Sequence, residues 1–286
     1  VQTPLLGFRP TRQGLFVPDP VGLAGFERQG MDQAKKGFDP SKIGGVQFWF
    51  DCADTGTMTR QAGGAVLTWR DKIRGTVVTS SSPGQQVMNK TIGVIPVIRF
   101  PETSWMNATV PAGPNTTSSS FSIIALAVVN SPGAAYAPSV VSAYGRGLGI
   151  AGPLNAGSPP TNSPQTVFGG SFRSTSTGPV LNNNARGYIL STFLPAGGGQ
   201  EQLRVDGAAP TGYSPTSATE DMTANTLIEI GTRAGGGEPW DGWCGDVIIG
   251  ARMSFADHVR LEGWLAWKYG QQSFLAATHP HRNSPP

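Results

Sequence analysis

From position 46 onward the chain alternates apolar and polar residues in short runs, divided by stretches rich in Gly, Pro, Ser, Thr and Asn. This two-residue period belongs to strands with one face turned to a core. Val46–Asp51 (VQFWFD) sets Val46, Phe48 and Phe50 on one face. Ala65–Arg70, Val94–Phe100, Ser139–Tyr144, Thr166–Gly169, Gly187–Phe193, Gln202–Val205, Thr226–Gly231 and Asp246–Gly250 read as further strands. Pro96 assigns its strand to an edge or a bulge, because it cannot donate to a ladder. Phe121–Asn130 is apolar on both faces and predicts a central strand covered on both sides. Asp206-Gly207, directly after a strand, is a tight-turn signal. Thr79–Gln86, Pro111–Ser120, Gly152–Gln165, Phe172–Gly178, Ala208–Thr219 and Arg233–Glu238 read as long loops. The sum is an all-β chain.

One helix closes the pattern. Ser254 is a suitable N-cap with Asp257 three residues on, and Phe255–Tyr269 runs without proline to Gly270. Leu261 and Leu265 form the stripe that faces the sandwich, flanked by Trp264 and Trp267. His258 is expected to face solvent, and His279 and His281 to lie in a terminal coil. Residues 1–44 differ from the rest: they hold five prolines and no periodic hydrophobes, and a short helix over Val21–Lys36 is weakened by two glycines. We read 1–44 as an extended arm that orders only by lying on its own domain or on a neighbour, with Leu5, Phe8, Leu15, Phe16 and Phe26 as anchors. Residues 45–286 form the sandwich, with its helix and tail.

Charge narrows the functions. Only 14% of residues are charged and the formal net charge is +3, without a basic stripe interleaved with aromatics. A nucleic-acid groove needs many phosphate-neutralising side chains on one face, so that function is not expected. The longest apolar run, Phe121–Val129, is too short to cross a bilayer as a helix, and no signal-peptide pattern opens the chain. Cys52 and Cys244 are too few for a disulfide scaffold; they read as buried thiols, with a single bridge as the alternative if their strands are neighbours.

Templates for catalysis are missing. The chain has no Gly-x-Ser-x-Gly elbow, phosphate-binding loop or Cys-x-x-Cys pair, and only three histidines. His279-Pro-His281 provides two ligands, fewer than a metal site needs. A sandwich glycosidase needs two spaced carboxylates, and the Glu-x-Asp-x-x-Glu run is not found. We therefore expect no catalytic residues.

Four stretches resemble a known family. They are Val46–Asp54 (VQFWFDCAD), Thr68–Lys72 (TWRDK), Trp240–Ile249 (WDGWCGDVII) and Leu261–Gly270 (LEGWLAWKYG), the last followed by Leu275 and His279-Pro280. Together they resemble a laminin-G-like, concanavalin A-like domain of virion proteins from bacteriophages and large eukaryotic DNA viruses, over about residues 41–286 of this chain. The resemblance implies a two-sheet antiparallel jelly-roll sandwich with the terminal helix packed against it. It further implies a structural virion component (minor capsid, cement, decoration or fibre protein) assembled in the host cytoplasm. Its partners would be other virion proteins, such as the major capsid protein or neighbouring copies. Asp51 with Asp54, and Asp241 with Asp246, are expected to anchor turns and strand ends. No cofactor is required, although related sandwiches hold Ca²⁺ and Asp51, Asp54, Asp206 and Asp241 are the residues that could contribute. The alternative function is lectin-like recognition of a host-surface glycan, with Trp105, Asn183, Tyr213 and Trp240 as contacts.

Overall fold

The computed structural model describes the backbone of residues 8–10 and 16–18, and then residues 38–131, 138–150, 163–168, 171–175, 181, 186–210, 212, 214–215, 219–233 and 235–286. In the arm, β1 (Phe8–Pro10) and β2 (Phe16–Pro18) pair as an antiparallel ribbon that sets Phe8 opposite Pro18. Leu5, Leu15, Phe26 and the helix expected over Val21–Lys36 lie outside the described residues. The strands of the sandwich begin with β3 (Val46–Phe50), β4 (Met58–Arg60), β5 (Val66–Arg70), β6 (Val77–Ser80), β7 (Lys90–Ile92), β8 (Ile95–Phe100) and β9 (Met106–Thr109). They continue with β10 (Phe121–Ser131), β11 (Ser139–Ala143), β12 (Arg146–Ile150), β13 (Pro164–Phe168) and β14 (Ser171–Thr175). The last are β15 (Tyr188–Leu194), β16 (Gln202–Val205), β17 (Ser214–Pro215), β18 (Leu227–Ile230) and β19 (Asp241–Ala251), followed by helix α1 (Phe255–Lys268).

Two antiparallel sheets face each other. One runs β16-β15-β10-β19-β8-β7, with β3 also paired to β19; the other runs β17-β14-β13-β12-β11-β18-β9-β6-β5-β4. Alternation explains the layering. Phe121, Ile123, Ala125, Ala127 and Val129 of β10 point between the sheets, where they meet Val141, Ile228, Ile230 and Trp69 from the facing sheet. Ile124, Leu126 and Val128 point the other way, into a second core closed by Leu261, Trp264 and Leu265 of α1. The strand that reads apolar on both faces is thus the one covered on both faces. Pro96 sits in β8 opposite Thr91 of the short strand β7, close to the sheet edge its residue type demands.

Three expectations change. Val46 packs with the outer core, apart from Phe48 and Phe50, because the β3–β19 register slips between Ile249 and Gly250. His258 is fully buried, since it shares the inward face of α1 with Leu261, Glu262 and Leu265. His279 is buried as well: its ring closes over Gly207, where a Cβ would come within 2.3 Å of it. The tail is held by the Ala276 N–H donating to the Asp206 carbonyl (2.9 Å). Both Asp206 and Gly207 have positive φ (50° and 78°), as the two-residue turn requires. Cys52 and Cys244 are buried free thiols.

Candidate functional site

Three of the four family-like stretches meet at one cleft beside α1. In β3, Phe48 and Phe50 face the inner core, so Trp49 between them faces α1. Trp264 and Lys268, four residues apart, point from α1 to the same place. The third wall comes from the β5–β6 turn. There the Asp71 carboxylate accepts the backbone N–H groups of Ile73 (2.8 Å), Arg74 (3.0 Å) and Thr76 (2.6 Å), and Gly75 takes φ +73°. The Lys72 N–H donates to the Trp49 carbonyl (2.8 Å), which sets the Lys72 side chain over the Trp49 ring at 4.7 Å. Trp49 and Trp264 meet edge to face at 5.5 Å, and Phe38 closes on Trp264 at 6.0 Å. With Asp51, Ala53 and Asp54 these residues enclose about 390 Å³, within the range of small-ligand clefts.

A chain of charges forms the floor and rim. The buried Lys268 ammonium donates to Asp51 Oδ1 (2.6 Å) and Asp246 Oδ2 (2.5 Å). Lys72 bridges Asp51 Oδ2 (3.2 Å) and Asp54 Oδ2 (3.0 Å) at the rim. Asp246 also accepts from Trp49 Nε1 (2.9 Å), the Cys52 N–H (3.0 Å) and the Tyr269 hydroxyl (2.7 Å). Burial pushes the Asp246 carboxyl above its usual range despite these donors. Burial acts the same way on Asp51, but the ammonium groups of Lys268 and Lys72 outweigh it and hold the carboxyl below its usual range. For Lys268, burial opposes the charge and the Asp246 and Asp51 carboxylates more than restore it, so its pKa is raised. Three carboxylates thus share two ammoniums, and Asp246 is the fully enclosed member of the set.

A second buried polar cluster lies farther along α1. Glu262 accepts from Arg204 Nε (2.9 Å), lies 3.4 Å from His258 Nε2 and 3.5 Å from His279 Nε2, and also takes the Ser191 hydroxyl. His258 Nδ1 meets the Ser122 hydroxyl at 2.6 Å. Burial opposes the Glu262 charge, but the two histidines and Arg204 hold its pKa well below the usual carboxylate range. These contacts fasten α1 and the tail to the sheet.

The residues picked from sequence fare unevenly. Trp240 is fully buried in the inner core and offers no exposed platform for a sugar. Trp105 is half-buried, its ring lies on Gly236, and it does not line the cleft. Asn183 and Tyr213 lie outside the described residues. Asp51 and Asp54 do anchor a strand end and a turn, Asp54 by accepting the Gly56 N–H (3.2 Å). Each carboxylate considered for calcium is engaged by a cation: Asp51 and Asp54 by Lys72, Asp206 by Arg186 and Asp241 by Arg99. Among the described residues no group of three or more His, Cys, Asp or Glu is arranged to hold a metal. Trp49, Lys72, Trp264 and Lys268 were not singled out as site residues. Their only signal was that they sit inside the family-like stretches.

Comparison with known proteins places the fold. A mutant of Trypanosoma rangeli sialidase displaying trans-sialidase activity superposes with a TM-score of 0.50 at 12% identity, over 87% of this chain and 39% of that one. A botulinum neurotoxin type C structure, described in connection with cell entry through two ganglioside molecules, matches at TM-score 0.49 and 12% identity, over 78% and 51%. Domain 4 of AbnA, an extracellular GH43 arabinanase from Geobacillus stearothermophilus bound to arabinotriose, matches at 0.42 and 12%, over 76% and 97%. This chain therefore spans about two fifths of the sialidase. No family model and no curated protein matches the sequence. The class defined is the two-sheet antiparallel β-sandwich with one packed helix. None of these three structures is a virion protein, and no helix among the described residues is long and apolar enough to cross a membrane.

Proposed function

We propose that the protein is a non-catalytic binding module whose cleft between Trp49, Trp264 and Lys72 takes a neutral carbohydrate. One observation carries the reading: the edges of Trp49 and Trp264, 7% and 4% exposed where they border the cleft, combine with a rim whose charges are already paired with each other. A strongly charged ligand gains little from such a rim, whereas a sugar has an apolar ring face for the tryptophan edges and hydroxyls for Asp54 and Lys72. Each added hydrogen bond contributes about 0.5–1.5 kcal/mol, so binding is weak, with a Kd on the order of 1 mM (about −4 kcal/mol). The test is an NMR titration of the indole N–H resonances of Trp49 and Trp264 with a panel of neutral mono- and oligosaccharides. At least one sugar should shift them saturably, and Asp54→Ala should weaken that binding while leaving the fold intact. A flat response to the whole panel at about fifty times that Kd would reject the reading.

A second reading keeps the virion role, with the arm as attachment and Leu5, Phe8, Leu15, Phe16 and Phe26 as anchors on a neighbouring subunit. It is supported by the ribbon that brings Phe8 and Phe16 onto paired strands. It predicts that a chain lacking residues 1–37 folds but no longer joins particles; normal incorporation of that chain would end it.

A further inference from the structure

The turn that carries Lys72 into the cleft carries Arg74 into a different depression. This second hollow, of about 620 Å³, opens beside the start of β3 and the end of β19, and its lining includes Gln47, Arg74, Asn115, Ser118, Ser119 and Arg252. No acidic and no aromatic residue lines it. Elsewhere six of the described arginines, Arg99, Arg146, Arg186, Arg204, Arg233 and Arg260, pair with carboxylates, while Arg60, Arg70 and Arg282 lie apart from this hollow. Arg74 and Arg252 have no acidic partner among the described residues.

Both guanidinium groups spring from fixed backbone. Arg74 is placed by the Asp71 carboxylate, which accepts its N–H (3.0 Å), and its guanidinium lies 4.9 Å from the Phe48 ring centroid. Arg252 has φ +60°, a left-handed conformation that glycine adopts without strain and arginine does not. Its N–H donates to the Ser120 carbonyl (2.9 Å).

The neutral groups add donors. The Gln47 side-chain oxygen accepts from the Tyr144 hydroxyl (3.3 Å), and the Asn115 side-chain oxygen accepts the Thr117 N–H (2.9 Å). With both oxygens engaged, the two NH₂ groups remain as donors. Two guanidinium forks and two amide donors around one polar hollow are the chemistry of oxyanion recognition.

We infer that this depression binds an oxyanion (carboxylate, sulfate or phosphate) borne on a small hydrophilic molecule such as an acidic sugar. The absence of aromatic lining disfavours an apolar carrier. The site is separate from the Trp49–Trp264 cleft and stands or falls independently of it.

The test is a titration of the full chain at constant ionic strength, following the Arg Nε–H and Asn/Gln side-chain resonances. The probes are inorganic sulfate, glucuronate and glucose. Sulfate, glucuronate or both should shift the signals of Arg74, Arg252 and Asn115 saturably, and glucose should not. The preferred anion separates tetrahedral esters from carboxylates. The double variant Arg74→Gln/Arg252→Gly should weaken binding by about tenfold or more, whereas Arg60→Gln, at an exposed arginine that does not line the hollow, should leave it unchanged. Raising NaCl should weaken binding by the wild-type chain, a readout that holds even if the double variant folds poorly. Silence towards both anions, equal shifts with glucose, or a double variant that binds like wild type would overturn the assignment.

Discussion

Replacing Lys268 by Met tests the centre of the cleft's charge network. The methionine keeps most of the side-chain volume but removes the ammonium that bridges Asp51 and Asp246. Asp51 retains Lys72, so the uncompensated charge falls mainly on Asp246, which has no solvent exposure. Stranding one member of a buried ion pair costs about 3–5 kcal/mol. For a domain of this size each kcal/mol lowers Tm by about 2–4 °C, so the variant should melt roughly 6–20 °C below wild type. Guanidinium unfolding followed by tryptophan fluorescence measures the free energy directly. The double variant Lys268→Met/Asp246→Asn should recover part of the loss, because an amide in place of the carboxylate removes the stranded charge. The pH dependence supplies a third check. Without Lys268, the Asp246 carboxyl moves still further above its unfolded value, so the folded state takes up a proton as pH falls. The gap between variant and wild type should therefore narrow towards acid pH and widen towards neutrality. A loss below about 1 kcal/mol, or a double variant no more stable than the single one, would refute the assignment of Lys268 as the bridge.

Two further outcomes follow from buried groups. Glu262, held below its ordinary range, contributes stability that is complete above the unfolded pKa near 4.5 and lost as pH falls through its folded value. Glu262→Gln should cost about 3–5 kcal/mol at neutral pH and flatten the acid limb of the stability–pH curve; an unchanged acid limb would contradict the cluster. Burial, together with the nearby Asp246 carboxylate, pushes both the Cys52 and Cys244 thiols up. A thiol reagent should therefore label neither in the native chain and both in denaturant; fast labelling of the native chain would show that the inner core opens there.

Much of the sandwich was legible because burial and sequence period coincide. The β10 segment has apolar residues on both faces and is covered on both. The Ser254 cap holds as read, its hydroxyl accepting the Asp257 N–H (3.1 Å). Strands β4, β6, β7, β9, β12, β14 and β17 escaped, and β6, β14 and β17 overlap stretches read as the loops Thr79–Gln86, Phe172–Gly178 and Ala208–Thr219. These strands are short, and most are polar or glycine-bearing, so their pairing comes from neighbours across the sheet. In β12 the chain reads RGLGI, and its two glycines are required by backbone and side chains lying over them: a Cβ on Gly149 would come within 2.0 Å of the Pro138 carbonyl. His258 was misread for a different reason. Its burial rests on partners 67 and 136 positions away, Ser191 and Ser122, which no local pattern encodes. The cleft was hidden likewise: Trp49, Lys72 and Trp264 read as ordinary strand, turn and helix residues until folding brings them together.

The shared edge of β19 has a mechanical consequence. Its Val247–Gly250 portion pairs with β3 and its Gly242–Cys244 portion with β8, so the first strand of the sandwich lies antiparallel to the last. Val46 therefore starts beside Gly250, at the end of β19 from which the chain leaves towards α1. Tension applied between the segment before β3 and the segment after β19 would load this ladder from one end, breaking its hydrogen bonds one at a time rather than all together. What resists that unzipping is the clasp above it, where Phe38 and Trp49 rest on Trp264 and Lys268 ties α1 to Asp51 and Asp246. The Trp49–Trp264 cleft is therefore also the latch on which the sandwich depends under load.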